Sequence, residues 1–204
     1  MSVVRHLFLA QLERFIDRHL YRFQGPIPYE SESKNLRSSD LRRWPKVPRP
    51  WLTGKECLLI GMAHAYTDLE KAFLYLNEAL VHPGEEDLKQ VAKLAEAIVL
   101  FKEAIARGEE KKSWLRLARL HFLEFNHSNK NLVELALLYA TLTYVAEDQI
   151  PLAIQTMTRA AKVQHNPQIY HMISNFFQCQ KMFNVADFFK RRSIRYAHRQ
   201  EMVV

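Results

Sequence analysis

From Thr53 onward the sequence is a succession of segments with apolar residues at helical spacing, each cut off after a few turns by a cap, a proline or a polar run. Such punctuation dictates short helices that must fold back on one another to bury their apolar stripes. Thr53-Gly54-Lys55-Glu56 forms a capping box, with Thr53 capping the backbone and Glu56 reaching back, and it predicts a helix to about His64. Thr67-Asp68 starts the next helix, which Pro83-Gly84 ends. A third spans 85–107, with Glu85, Glu86 and Asp87 at its start and Arg107-Gly108 at its end, as the helix dipole and C-cap prefer. A fourth spans 111–125, with Trp114, Leu117, Leu120 and Phe125 as its apolar positions. The polar run from Asn126 to Asn131 is a loop. A fifth helix follows over 132–147. Pro151 sits just inside the start of a sixth, Asn166-Pro167 starts a seventh, and the last runs from about 182 to 199. With only five glycines and few β-branched runs, the expected class is all-α, built of stacked antiparallel helical hairpins.

The N-terminal quarter differs. Residues 2–23 place Val4, Phe8, Leu12, Phe15, Ile16, His19 and Phe23 on one helical face. Five of the eight prolines then fall within 24–50, where missing N–H donors and restricted neighbours dictate an extended arm of polyproline character. The expected organisation is an amphipathic helix over 1–25, a proline- and arginine-rich arm over 26–50, and a helical-hairpin domain over 51–204. Trp44 and Trp51 bracket the end of the arm. They either pin it onto its own helical domain or dock it on a partner.

Apolar residues make up 48% of the 204 and charged residues 25%, enough for a core without disulfides or metals. The net charge of +7 suits an RNA, an acidic protein or an anionic surface as partner, and equally serves solubility. Cys57 and Cys179 are too sparse for a secreted disulfide framework and are expected to be buried thiols in a reducing intracellular compartment. The cytoplasm is favoured, with the Arg-bearing N-terminal helix as the argument for mitochondria. No apolar run reaches the ~20 residues a membrane span needs. There is no phosphate-binding glycine loop, nucleophile elbow, zinc-type cysteine pairing or His-Glu-x-x-His, so no enzyme activity, cofactor, metal or small-molecule substrate is expected. His121, Glu124 and His127 come nearest to a ligand set and are read as solvated groups near a helix end. Met157, Met172 and Met182 are read as core fillers.

Small residues recur where paired helices must approach. Leu137, Ala140, Thr141 and Tyr144 are followed by Ala153, Met157 and Ala160. Then Tyr170, Ile173, Ser174 and Phe177 are followed by Ala186 and Ser193, offset by 33 positions. Over residues 134–199 this resembles the tetratricopeptide repeat family, although Thr141 and Ser174 replace the family's usual glycine and Lys190 stands where a large apolar residue is usual. Leu59, Gly61 and Tyr66, followed by Ala72, Leu76 and Ala79, echo the pattern in a looser register. The resemblance implies an α-solenoid that binds proteins through the first helices of its units. Its groove positions here are Leu138, Leu142 and Val145, then His171, Asn175 and Gln178.

The last helix buries Val185, Ala186, Phe189, Ser193 and Tyr196, while Phe188, Arg191, Arg195 and Arg199 form an adjoining stripe. That stripe is either a solvated cap or a face for an anionic partner, with Phe188 available to stack on a base. The function expected from these features is a non-enzymatic protein-binding adaptor or a structural subunit of a larger assembly. The alternative is an RNA-associated protein that uses the basic last helix.

Overall fold

The computed structural model describes residues 48, 50–65, 68–83, 86–107 and 112–201, together with Ala10, Leu12 and Arg14. The expectations for the rest of the N-terminal helix, for nearly all of the arm and for Trp44 lie outside the described residues. Leu12 is helical and fully buried.

Among the described residues every regular element is an α-helix. They are α1 (Gly54–His64), α2 (Leu69–Val81), α3 (Glu86–Arg107), α4 (Lys112–Glu124), α5 (Lys130–Ala146), α6 (Ile150–Gln164), α7 (Pro167–Cys179) and α8 (Phe183–Glu201). Local chemistry fixes most of these starts. The Thr53 hydroxyl accepts from the Glu56 N–H at 3.2 Å while the Thr53 N–H donates to the Glu56 carboxylate at 2.7 Å, completing the capping box. Asp68, Asn129 and Asn166 cap α2, α5 and α7 by accepting from backbone N–H groups two or three residues on. Pro151 and Pro167 occupy the first turns of α6 and α7, where no donor is lost.

The helices pack in consecutive pairs, α1 on α2, α3 on α4, α5 on α6 and α7 on α8, with α2 also against α3 and α6 against α7. The chain forms two compact units, one of residues 20–127 and one of 1–19 with 128–204, so the break falls inside the polar run that begins at Asn126.

In the 20–127 unit Gly61 carries the α1–α2 contact. A Cβ there would lie 2.8 Å from Leu76 Cγ and 3.1 Å from the Leu76 backbone nitrogen, so only a missing side chain lets the two helices come this close. In α4 the buried positions are Leu115, Ala118 and Phe122, a different face from the expected one. Leu117 and Leu120 are exposed, Trp114 is half-buried with its ring edge-on to Phe73, and Phe125 is buried but lies beyond the helix. Helix α4 carries apolar residues on two faces, and the face with the small Ala118 is the one that sits deepest.

In the 128–204 segment the 33-residue offset of the sequence is an offset of the backbone. Helices α5 and α7 end at Ala146 and Cys179, and α6 and α8 begin at Ile150 and Phe183. The turns are the same Schellman motif. Asp148 N–H donates to the Val145 carbonyl and Gln149 N–H to Tyr144, just as Lys181 N–H donates to Gln178 and Met182 N–H to Phe177. Ala153 and Ala186 are both fully buried. At the position where the sequence resemblance leads one to expect glycine, Thr141 turns its hydroxyl back to the Leu137 carbonyl at 2.9 Å. Ser174 there reaches across the hairpin to the Ala186 carbonyl at 2.8 Å. A short hydroxyl that finds a backbone acceptor is tolerated at close helix contact, because no buried polar group is left unsatisfied.

Candidate functional site

The first candidate surface is the groove expected along α5 and α7. Helix α5 is apolar nearly all round and is buried nearly all round, with Leu138, Leu142 and Val145 all but excluded from solvent. Its acidic Glu134 is buried as well, one carboxylate oxygen accepting from the Asn166 side chain at 2.9 Å. His171 and Gln178 are exposed and Asn175 is half-exposed. The polar half of the expected groove therefore faces solvent, whereas the apolar half is enclosed within the chain and presents nothing to a partner. Periodicity alone marks α5 as apolar; only its packing decides that no face of it stays open.

The second candidate is α8, which packs on α7 through Ala186 and Phe189, with Val185, Ser193 and Tyr196 half-buried beside them. Ring contacts run along this interface. His165 stacks on Tyr196 at 4.6 Å, Tyr196 on Tyr170 at 5.5 Å, Tyr170 on Phe189 at 6.5 Å and Phe189 on Phe177 at 5.8 Å. Pairs of this kind contribute about 0.5–1.5 kcal/mol each beyond area burial. The Ser193 hydroxyl donates to the Pro167 carbonyl at 2.8 Å, tying the middle of α8 to the start of α7. Burial pushes the Tyr170 phenol above its ordinary range, neighbouring Tyr196 adds to this, and Arg192 opposes it.

The opposite side of α8 is open. Phe188, Lys190, Arg191 and Arg195 are exposed, and the Arg192 guanidinium lies 4.5 Å above the Phe188 ring. Arg199 continues the helical stripe one turn on; its side chain lies outside the description. The stripe expected from sequence is thus carried on a well-anchored helix, with one aromatic ring among its cations. The exposed guanidinium groups of that stripe, Arg191 and Arg195, can meet an anion through paired N–H donors.

A cleft of about 470 Å³ opens between the ends of the two hairpins, lined by Ile150, Pro151 and Ile154 on one side and Phe176, Phe177 and Met182 on the other. Met182 is largely exposed at its rim, against the expectation of a core filler, because it occupies the turn that follows the left-handed residue Lys181. Met157 is fully buried and Met172 half-buried.

Trp51 is exposed in the turn before α1. His121 and His127 are not the solvated pair expected. His121 is half-buried on α4, and His127 stacks flat on Phe125 at 5.9 Å with its side chain almost wholly enclosed. The loop folds back over its own helix end, which the polar composition of residues 126–131 does not reveal. Among the described residues no cluster of three or more His, Cys, Asp or Glu side chains is arranged to hold a metal ion. Cys57 is buried, as expected, but Cys179 is exposed at the end of α7, where the helix turns its polar face outward. Among the described residues no helix is long and apolar enough to cross a membrane. No family model, curated protein or solved structure matches this chain.

Proposed function

We propose that this chain is a non-enzymatic interaction module, a helical-hairpin scaffold of the tetratricopeptide type that holds a partner macromolecule within a larger assembly. One observation carries the reading. Helix α8 is fixed on one side by stacked rings and hydroxyl-to-carbonyl bonds while its other side presents Phe188, Arg191 and Arg195 to solvent. A rigid helix that displays cations and an aromatic ring loses little conformational freedom on binding, so an anionic surface is its natural complement. The partner favoured is an acidic protein.

RNA is the second reading. It is favoured by Phe188, whose exposed ring sits next to Arg192 in the manner of a base-stacking platform.

The test is capture of partners on the full chain, with and without RNase, followed by a salt titration of the captured complex. The Arg191→Gln/Arg195→Gln variant should fold normally, since exposed substitutions cost under about 0.5 kcal/mol each. It should bind more weakly and with a shallower salt dependence. Partners that survive RNase support the protein reading. Partners that vanish with RNase, together with a Phe188→Ala loss of about 1–3 kcal/mol, support RNA. Salt curves identical to wild type would leave the stripe a solvated cap.

A further inference from the structure

The 33-residue repeat allows each residue of α8 to be compared with its counterpart in α6. Helix α6 has two packed faces. Ala153 and Ala160 are buried on the face that mirrors the Ala186 and Ser193 face of α8, where α8 meets α7. The other face is the stripe Ile150, Ile154, Met157 and Ala161, spaced four, three and four residues apart. Ile150 and Ile154 line the cleft opposite Phe176 and Phe177 of α7, so this stripe looks toward the incoming hairpin. Further along it Met157 and Ala161 are fully buried.

The counterparts in α8 are Phe183, Asp187, Lys190 and Ile194. None is covered. Phe183 is 63% and Ile194 49% exposed, and Asp187 and Lys190 are exposed as well. The face that receives the next helix in one hairpin is therefore repeated, open, in the other. Its ends remain apolar, and its centre carries charge where α6 has Ile154 and Met157. Single exposed apolar residues are ordinary on a protein surface; what sets Phe183 and Ile194 apart is that both fall in register with the packed stripe of α6.

We propose that this face of α8 is a docking site for an amphipathic helix of a partner protein, seated on α8 as α7 is seated on α6. The inference rests on the interaction-module reading and names the kind of partner. Two apolar side chains of that helix cover Phe183 and Ile194. Carboxylates along its edge meet Lys190, Arg191 and Arg195, and a polar or basic residue faces Asp187. A second copy of the same chain is the poorer occupant, because two such faces would bring Lys190, Arg191 and Arg195 against their own equivalents.

The probe is a synthetic helical peptide of 18 residues with leucines along one face and glutamates on its flanks. Its control carries lysine for every glutamate. Both are titrated into the full chain by fluorescence anisotropy. The glutamate peptide should bind saturably, and the lysine peptide at least about tenfold more weakly. Phe183→Ser/Ile194→Ser should lose at least about tenfold in affinity for the glutamate peptide, whereas Leu120→Ser on the exposed face of α4 should not. All three substituted positions are exposed, so circular dichroism should be unchanged.

Absence of saturable binding, or equal affinity for the Phe183→Ser/Ile194→Ser variant, would overturn the proposal. So would sedimentation showing a homodimer that Ile194→Ser dissociates. If partner capture depends on Arg191 and Arg195 but is indifferent to Phe183 and Ile194, the interaction-module reading stands and this inference alone fails.

Discussion

Asp148 and Lys181, 33 residues apart, hold the same left-handed backbone at φ 63° and 59°, and each turns the first helix of a hairpin into its second. Neither is glycine, the residue that adopts this region without cost. A side chain there costs roughly 1–2 kcal/mol, less for Asp, whose short polar side chain visits the region more readily. Replacing Lys181 by glycine should therefore raise stability by about 0.5–1 kcal/mol after the added unfolded-state entropy is set against the relieved strain. Asp148→Gly should gain less. Chemical denaturation of the two variants measures the difference, and a loss of stability in Lys181→Gly would mean that its side chain contributes more than its backbone costs.

Ala153 and Ala186 stand at matched positions of the two hairpins, and both are fully buried. Leucine at either position should overpack the contact and cost about 1–3 kcal/mol. At Ala186 the damage should include the Ser174 hydroxyl bond to its carbonyl. Melting temperatures that stay at the wild-type value in both variants would show that these helices do not meet at these residues.

In the 20–127 unit Gly61→Ala sets helix propensity against packing. Alanine is the better helix former by about 1 kcal/mol. Its Cβ would lie 2.8 Å and 2.9 Å from Leu76 side-chain atoms and 3.1 Å from the Leu76 backbone, which cannot rotate away. Overpacking of about 1–3 kcal/mol should win, giving net destabilisation. Gly61→Ala with Leu76→Ala should recover part of that loss, a coupling that a double-mutant cycle reads directly.

The two thiols should react very differently. Burial pushes the Cys57 thiol up to about 11, with Glu78 and Glu56 adding to the effect. Cys179 is exposed. Since the thiolate is the reactive species, alkylation of the native chain near neutral pH should label Cys179 alone, and Cys57 only after denaturation. Peptide mapping after a timed iodoacetamide pulse checks this. Equal labelling of both would show that the α1–α2 interior opens readily.

Stability of the 20–127 unit should fall as pH drops through the histidine range. Burial holds the His64 and His121 imidazoles below their ordinary values, with Lys71 and Lys93 acting in the same sense and Asp68 and Glu124 opposing. Well above about pH 6.5 both are neutral in the folded and the unfolded chain, so they impose no penalty. Below it the unfolded chain takes up protons that the folded one resists, and stability is lost. Glu96 has the opposite sign. Burial raises its carboxyl against the pull of Lys93, so its penalty is felt above the carboxylate range and relieved in acid. Urea melts at about pH 7.5 and 5.5 should show the wild-type loss shrinking in His121→Gln. An unchanged loss would assign the pH dependence to other groups.

The helix boundaries were legible in the sequence because they are local. The Thr53–Glu56 box, the Asp68 and Asn166 caps and the prolines at 151 and 167 act within one turn, and the structure uses each of them. The 33-residue offset was legible too, since small residues at Ala153 and Ala186 record where backbones must approach. The left-handed turns were not, because Asp148 and Lys181 give no glycine signal. Phe183 and Ile194 escaped notice as well. Their register with Ile150 and Ala161 has meaning only once α7 stands against that face of α6.

What the sequence by itself determined is the number, length and order of the described helices and the register of the last two hairpins, all set by contacts within a few residues along the chain. What only the tertiary structure decided is which faces are spent inside. It chose Leu115, Ala118 and Phe122 over Leu117 and Leu120 in α4, enclosed Leu138, Leu142 and Val145 that would otherwise line a groove, and left Cys179 and Met182 outside. Periodicity shows that a helix has an apolar stripe. When there are two such stripes, or when apolar residues run all round, the choice belongs to whichever distant helix arrives to cover one, because burial is a property of the pair.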